Sequence, residues 1–357
     1  MTVQAELILN VVKVAILSIV SFGITIAVTP LLPHYLYKYR LWRKEARTLT
    51  PDGQPATIFN KLHHANETSR PRLGGLLVWV IPLFVAYLFW GAAHLTDIAF
   101  LDKLNFVSRN QTWVVLATLL AGALLGLADD LMQIFGVGKY KAGGMRFTRR
   151  VGLVMLIALA GAYWFYFKLG IQSIYIPGIG DVFIDGWFIP LFILVMLATF
   201  SGGVIDGLDG LAGGSFAAMF AAYGGIAFFQ NQIDLAAFTG VLLGALLGFL
   251  WFNIPPARFY MGETGIIALT TTLTVLAFLT NSAIVLPIIG ILLVAESLSV
   301  IIQLLSKRLR GKKVFQIAPL HHHFEALGWP SYKVVMRFWI IGVIFAIIGM
   351  VIALIGR

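Results

Sequence analysis

Apolar stretches of about twenty residues recur along the whole of this 357-residue chain, and they constrain its fold more than any other feature. They lie near 7–29, 75–94, 112–130, 151–168, 187–203, 211–229, 235–252, 262–279, 283–304 and 336–355. A hydrocarbon core about 30 Å thick takes roughly 20 helical residues to cross. With 59% hydrophobic and 12% charged residues and a mean hydropathy of +0.89, the composition excludes a soluble domain. The reading is an all-α polytopic membrane protein of about ten transmembrane helices. The first run has no charged leader followed by a small-residue cleavage site and reads as a retained helix. No repeat of 20 to 50 residues is visible and the connections are too short for a second soluble domain, so residues 1–357 read as one membrane domain.

Charge gives the orientation. Of 26 lysines and arginines, all but Lys13, Lys103, Arg109, Lys168 and Arg357 fall in every second connection, after the first, third, seventh and ninth runs. By the positive-inside rule those connections are cytoplasmic and both termini are periplasmic. The net charge of +10 therefore reflects membrane topology rather than nucleic-acid binding. On the outer side, "IQSIYIPGIGDVFIDG" (171–186) places two β-rich stretches around Pro-Gly and Gly-Asp, the pattern of a short β-hairpin. The absence of cysteine removes disulfides, thiol nucleophiles and cysteine-based zinc sites.

Against this apolar background the polar residues gather in the basic connections. Asp129 and Asp130 end the third run, where the helix dipole disfavours anions and something cationic must compensate. Adjacent helical positions point about 100° apart, so the two carboxylates serve different partners. Asp206 and Asp209, in "GGVIDGLDGLAGG" (202–214), share a face if the segment is helical, with Asp209 placed to cap the next helix. Glu263 opens the eighth run, where exposed amides suit an anion. His321, His322 and His323 precede the last run and suit phosphate contact or proton transfer. Glu296 is the one acid well inside a run, paired or protonated there, with a hydrogen bond between helices as its expected role. Carboxylates, glycine turns, histidines and cations on one side make a site suited to Mg²⁺ and phosphate, because Mg²⁺ takes one or two carboxylates and completes its shell with water and phosphate oxygens. Its place at the lipid boundary suggests one substrate with an apolar tail and one from the cytoplasm.

The segments "LADD", "DGLDGLAGG", "NIPPARFYMGETG" and "APLHHHFEALGWPSYKVVMRFWII" resemble the phospho-N-acetylmuramoyl-pentapeptide transferases of the polyprenyl-phosphate sugar-1-phosphate transferase superfamily, over nearly the whole chain. The resemblance implies Mg²⁺-dependent transfer of phospho-N-acetylmuramoyl-pentapeptide from its UDP carrier to undecaprenyl phosphate, giving lipid I and UMP. It implies peptidoglycan synthesis at the cytoplasmic face of the bacterial inner membrane, commonly by a homodimer. Position by position it implies catalytic roles for Asp129, Asp130 and His321, with Asp129 favoured as base, and a metal role for Glu263. It implies substrate contacts from Asp206, Asp209, Asn253, His322 and His323, with Arg70 and Arg72 supplying charge.

Several positions depart from the family pattern. Glu263 stands where an aspartate is usual, and "SRPRLGG" (69–75) where "GTPTMGG" is usual, with Glu67 in place of a lysine. Gly203 replaces an asparagine and Ile266 a serine. Val137 stands at a lysine position, with Lys139 and Lys141 displaced downstream. "RPRLGG" is also similar to the hexosamine-phosphate branch, so a sister transferase using UDP-N-acetylhexosamine is the alternative enzyme. An ion-coupled transporter is the alternative from another class, but it would place its ionisable groups near the midplane.

Overall fold

The computed structural model describes residues 3–43, 68–108, 112–137 and 144–356. Glu67, Arg109, Lys139, Lys141 and Arg357 lie outside them. In chain order the helices are α1 (Val3–Val28), α2 (Leu31–Lys38), α3 (Leu76–Leu95), α4 (Ala99–Leu104), α5 (Trp113–Ile134), α6 (Phe147–Tyr163), α7 (Phe188–Ser201), α8 (Leu211–Phe229), α9 (Ile233–Asn253), α10 (Gly262–Leu279), α11 (Leu286–Ile289), α12 (Ile291–Arg310), α13 (Leu320–Ala326) and α14 (Ser331–Ile355). Among the described residues nine helices are long and apolar enough to cross a membrane, or ten if one bent pair counts as a span.

That pair is the expected ninth span. The stretch Ala283–Ile289 and α12 meet at a bend of 77° around Gly290. Hydropathy runs straight through the break, because apolar residues continue on both sides of it. The third span also differs: α5 continues to Ile134, so Asp129 and Asp130 sit a turn inside the helix rather than at its end.

Lipid tails are as apolar as leucine, so packing between the helices rests on close backbone approach. Along α9, Gly240, Gly244 and Gly248 recur every fourth residue and face Ser18, Phe22 and Thr25 of α1. α10 is the central helix, buried continuously from Thr264 to Phe278. Thr270, Thr271 and Thr274 return hydroxyl protons to carbonyls one turn back, Thr270 to Ile266 at 2.8 Å and Thr271 to Ile267 at 2.7 Å, so most of its polar groups cross the interior satisfied, while the Thr272 hydroxyl is buried without a partner among the described residues. The outer helices α1 and α14 leave leucine, isoleucine and valine exposed, as a lipid-facing surface requires.

The hairpin forms as expected. β1 (Ser173–Ile176) pairs antiparallel with β2 (Gly180–Phe183), Ile176 facing Gly180. It also receives the end of α14: the Tyr175 hydroxyl and the Gly178 amide both donate to the Gly356 carbonyl. The polar motifs gather at the other ends of these helices.

Candidate functional site

The first element of the site is a helix crossing. A side chain at Gly122 or Gly126 of α5 would run into the backbone of α10, at Ile267 and at Glu263 and Thr264. Their absence lets α5 lie against the start of α10, and the next turn carries the aspartates. Asp130 is fully buried; its Oδ2 accepts the Thr264 amide at 2.9 Å. From the α7–α8 connection, Asp206 Oδ2 accepts the Gly262 amide at 3.2 Å. The first amides of α10, free by construction in any helix, are thus held by the chain's own carboxylates. The expectation that they would be open to an anion is corrected on that point. Glu263 lies in the same turn.

Arginines surround these acids. Arg150, in the first turn of α6, donates to Glu263 Oε1 and, at 3.3 Å, to Asp129 Oδ2. Arg72 Nε lies 3.6 Å from Asp130 Oδ1, and Arg70 Nη1 donates to Asp209 Oδ2 at 2.6 Å while its guanidinium lies over the Tyr260 ring. The cation that the aspartate pair demanded is therefore supplied in part by side chains.

The two adjacent aspartates have unlike surroundings. Asp129 is saturated: Oδ1 accepts the Met145 amide and Oδ2 accepts Gln133 Nε2 at 2.8 Å together with Arg150. Gln133 is itself held by Arg43, whose Nε donates at 3.0 Å. Asp130 Oδ1, though buried, accepts no hydrogen bond from the described residues. A buried acceptor without a donor is costly and points to an absent ligand.

Asp206 and Asp209 do not share a helical face. A 3₁₀ turn over Gly202–Ile205 ends at Asp206, and the two diverge, toward Gly262 and toward Arg70. Nor does Asp209 cap α8: the residue before that helix is Gly210, at φ +81°, and Asp209 accepts the Ala257 amide at 3.1 Å instead. Burial pushes the Asp206 carboxyl up to about 6, against the pull of Arg72 and the Gly262 amide and with the nearby Glu263 and Asp209 charges adding to the rise. Asn253 commits both ends of its amide, Oδ1 to the Gly210 amide at 3.0 Å and Nδ2 to the Phe259 carbonyl at 2.8 Å. It fastens two site loops together.

The histidines form the far wall. Glu296 of α12 is fully buried and accepts the Leu320 amide at 2.9 Å and the His321 amide at 3.2 Å, binding α12 to the start of α13. His321 is fully buried, with Nδ1 3.1 Å from Glu296 Oε2 but off the direction of a hydrogen bond, and Nε2 without a partner among the described residues. Its ring lies 4.1 Å from that of His322, whose Nδ1 is 2.7 Å from Glu325 Oε2. Gly207 closes this wall onto the acidic side, since a Cβ there would press on His321 Nε2 and lie 3.0 Å from His322 Nε2. His323 points elsewhere, its ring beside Phe315 and its Nδ1 facing the Gln316 amide.

Two departures from the family pattern touch each other. A Cβ at Gly203 would stand 2.6 Å from Ile266 Cγ2, so the isoleucine methyl covers the space over that glycine.

A divalent ion fits this site in a specific sense. Among the described residues no three histidine, aspartate or glutamate side chains form a ready cage. Yet five carboxylates, Asp129, Asp130, Asp206, Asp209 and Glu263, gather here around Arg70, Arg72 and Arg150. Asp130 Oδ1 is an open buried acceptor. An ion held by one or two carboxylates and completed by phosphate and water matches this donor set.

Arg150, Gln133 and Arg43 carry site geometry that the sequence did not single out. In sequence Arg150 is one of several cations in a basic connection, and only the placement of α6 against α5 distinguishes it. The i, i+4 spacing of Gln133 from Asp129 was the one available signal.

Comparison with known proteins agrees with the geometry. A family model described as Glycosyl transferase family 4 matches residues 112–281. The chain is 33% identical to the phospho-N-acetylmuramoyl-pentapeptide-transferase of Geobacillus thermodenitrificans, over 92% of this chain and 94% of the relative. It is 32% identical to that of Bacillus subtilis with the same coverage, and 34% identical to that of Geobacillus sp. strain WCH70 over 94% and 97%. On likeness of this extent, the chain belongs to the phospho-N-acetylmuramoyl-pentapeptide-transferase family of enzymes.

Proposed function

We propose that this protein transfers phospho-N-acetylmuramoyl-pentapeptide from its UDP-linked precursor to undecaprenyl phosphate, forming lipid I and UMP with Mg²⁺ at the cytoplasmic face of the bacterial inner membrane, in peptidoglycan synthesis. The observation that carries this reading is the convergence of Asp130, Asp206 and Glu263 on the first turn of α10, in a chain of this family. The basic connections lie at this end of the helices, which supports a cytoplasmic site with both termini periplasmic.

An oxygen of the lipid phosphate attacks the β-phosphorus of the UDP-sugar, the bond from that phosphorus to the bridging oxygen breaks, and UMP leaves. Glu263 and Asp130 would hold the divalent ion, which supplies charge neutralisation to the transferring phosphoryl group. Asp130 offers its open Oδ1 to a proton or a cation. Asp129, saturated by Met145, Gln133 and Arg150, keeps the start of α6 in place. The buried His321 Nε2, without a partner among the described residues, faces the Asp206–Asp209 connection and can donate to a phosphate oxygen. Arg70 and Arg72 add positive charge for the diphosphate.

The test is purified protein with undecaprenyl phosphate and Mg²⁺, offered UDP-N-acetylmuramoyl-pentapeptide or UDP-N-acetylglucosamine, with UMP and lipid product measured. Product from the first supports this reading; product from the second alone moves the chain to the hexosamine-phosphate branch, which "RPRLGG" favours.

A further inference from the structure

Arg150 reaches the acidic cluster from α6, an element that contributes no acid to it, and joins two carboxylates that the rest of the fold holds separately. Its Nη1 donates both to Glu263 Oε1 and to Asp129 Oδ2. Asp129 has two further donors, the Met145 amide and Gln133 Nε2, and so stays in place without the arginine. Glu263 is the carboxylate with the longest side chain in the cluster; it is partly buried, with 20% of its side chain exposed, and its Oε1 accepts from Arg150. Arg150 Nε, meanwhile, is buried and donates to none of the described residues. The guanidinium is thus held at one corner and has a spare donor, a geometry that can shift without leaving Asp129 bare.

We infer that Arg150 is a resident counter-ion that competes with the divalent cation for Glu263, so that it sets the protein's metal affinity. The inference rests on the metal role given to Glu263 above. A guanidinium and a metal ion cannot both occupy the same carboxylate oxygen at full strength, and each lowers the free energy of that carboxylate's ionised form. Without the ion, Arg150 prevents the uncompensated acids from repelling one another. When the ion binds, Glu263 turns from Arg150 to the metal and the arginine remains on Asp129. The glutamate suits this exchange, since its additional rotatable bond lets one carboxylate reach either cation from a fixed backbone.

The experiment is a titration of chelator-treated protein in detergent with Mn²⁺, followed by the loss of the free-ion EPR signal, with no substrate present. Arg150→Gln is expected to bind Mn²⁺ roughly three- to fivefold more tightly than wild type, the upper part of the range for one ion pair of this exposure. Arg150→Lys keeps a charge beside Asp129 but has a shorter, single-point head group; it is expected to bind about two- to threefold more tightly, and it serves alone if the glutamine variant does not fold. Equal or weaker Mn²⁺ binding in these variants overturns the inference. Unchanged binding in Glu263→Gln would instead overturn the metal assignment beneath it.

Discussion

The two walls of the site hold their carboxylates in part by different means. On the acidic side, Glu263 and Asp209 are paired with arginines, while Asp130 and Asp206 accept main-chain amides at the start of α10 and Asp130 keeps an oxygen open among the described residues. On the histidine side, Glu296 is held by main-chain amides of Leu320 and His321, deep in the helix packing. Side-chain ion pairs exchange partners readily, because a guanidinium can rotate away and another cation can take its place. Backbone amides at a helix start cannot. Under the proposal above, Glu263 is the carboxylate that can change its cation, while the amide-held Asp130, Asp206 and Glu296 stay in place.

The largest expected effect separates the adjacent aspartates. Asp130→Asn removes the open acceptor and is expected to lower UMP release by about 10²- to 10⁴-fold with unchanged thermal stability in detergent. Asp129→Asn is expected to lose activity as well, but with a lower unfolding temperature, because it weakens the holds on Met145 and Arg150. Near-normal turnover in either variant removes that residue from the mechanism.

Next is Gly207→Ala, which strikes the histidine wall alone. The added methyl must displace His321, whose buried ring is packed against His322. UMP release is expected to fall roughly 10- to 100-fold, within the range of a displaced catalytic contact, while Mn²⁺ affinity stays at the wild-type value. A parallel loss of metal binding would show that the two walls are not separable.

Glu296→Ala is a smaller, mainly structural test. It leaves the Leu320 and His321 amides without an acceptor, at a cost of about 1–3 kcal/mol for an unsatisfied buried group, read by chemical denaturation. Glu296→Gln retains one acceptor and is expected to recover part of that loss. Equal stability of all three proteins would contradict the capping role.

These contrasts also mark what the sequence could convey. The spans were legible because crossing a bilayer demands long apolar runs, and the hairpin because its turn residues stand between two β-rich stretches. The acids were legible because they stand out in an apolar chain. The break at Gly290 was hidden, since hydropathy records composition and not direction. Arg150 was hidden among other cations whose number speaks only to which side of the membrane they share. The pairing of Glu296 with the amides of residues 320 and 321 joins positions 24 and 25 apart through tertiary packing, which no local pattern encodes. The 3₁₀ turn before Asp206 likewise overrode the helical spacing that made Asp206 and Asp209 look like neighbours on one face.

The smallest effect concerns Asp206. Burial raises its carboxyl to about 6, above the ordinary value near 3.9. Between those values the folded protein binds more protons than the unfolded chain, so stability falls as pH rises through that window and levels off above it. Asp206→Asn carries no such charge. It is expected to unfold a few degrees above wild type at pH 8, with the difference closing toward pH 4. A gap that widens on acidification would show that Asp206 is stabilised as a carboxylate, by Arg72 and the Gly262 amide.

The proposal that these acids serve an exchangeable divalent cation is tested most directly by metal removal. UMP release from UDP-N-acetylmuramoyl-pentapeptide and undecaprenyl phosphate should cease in excess EDTA, return with added Mg²⁺, and stay absent in Asp130→Asn at any Mg²⁺ concentration. Undiminished release in EDTA, with arginines as the sole counter-charges, would contradict it.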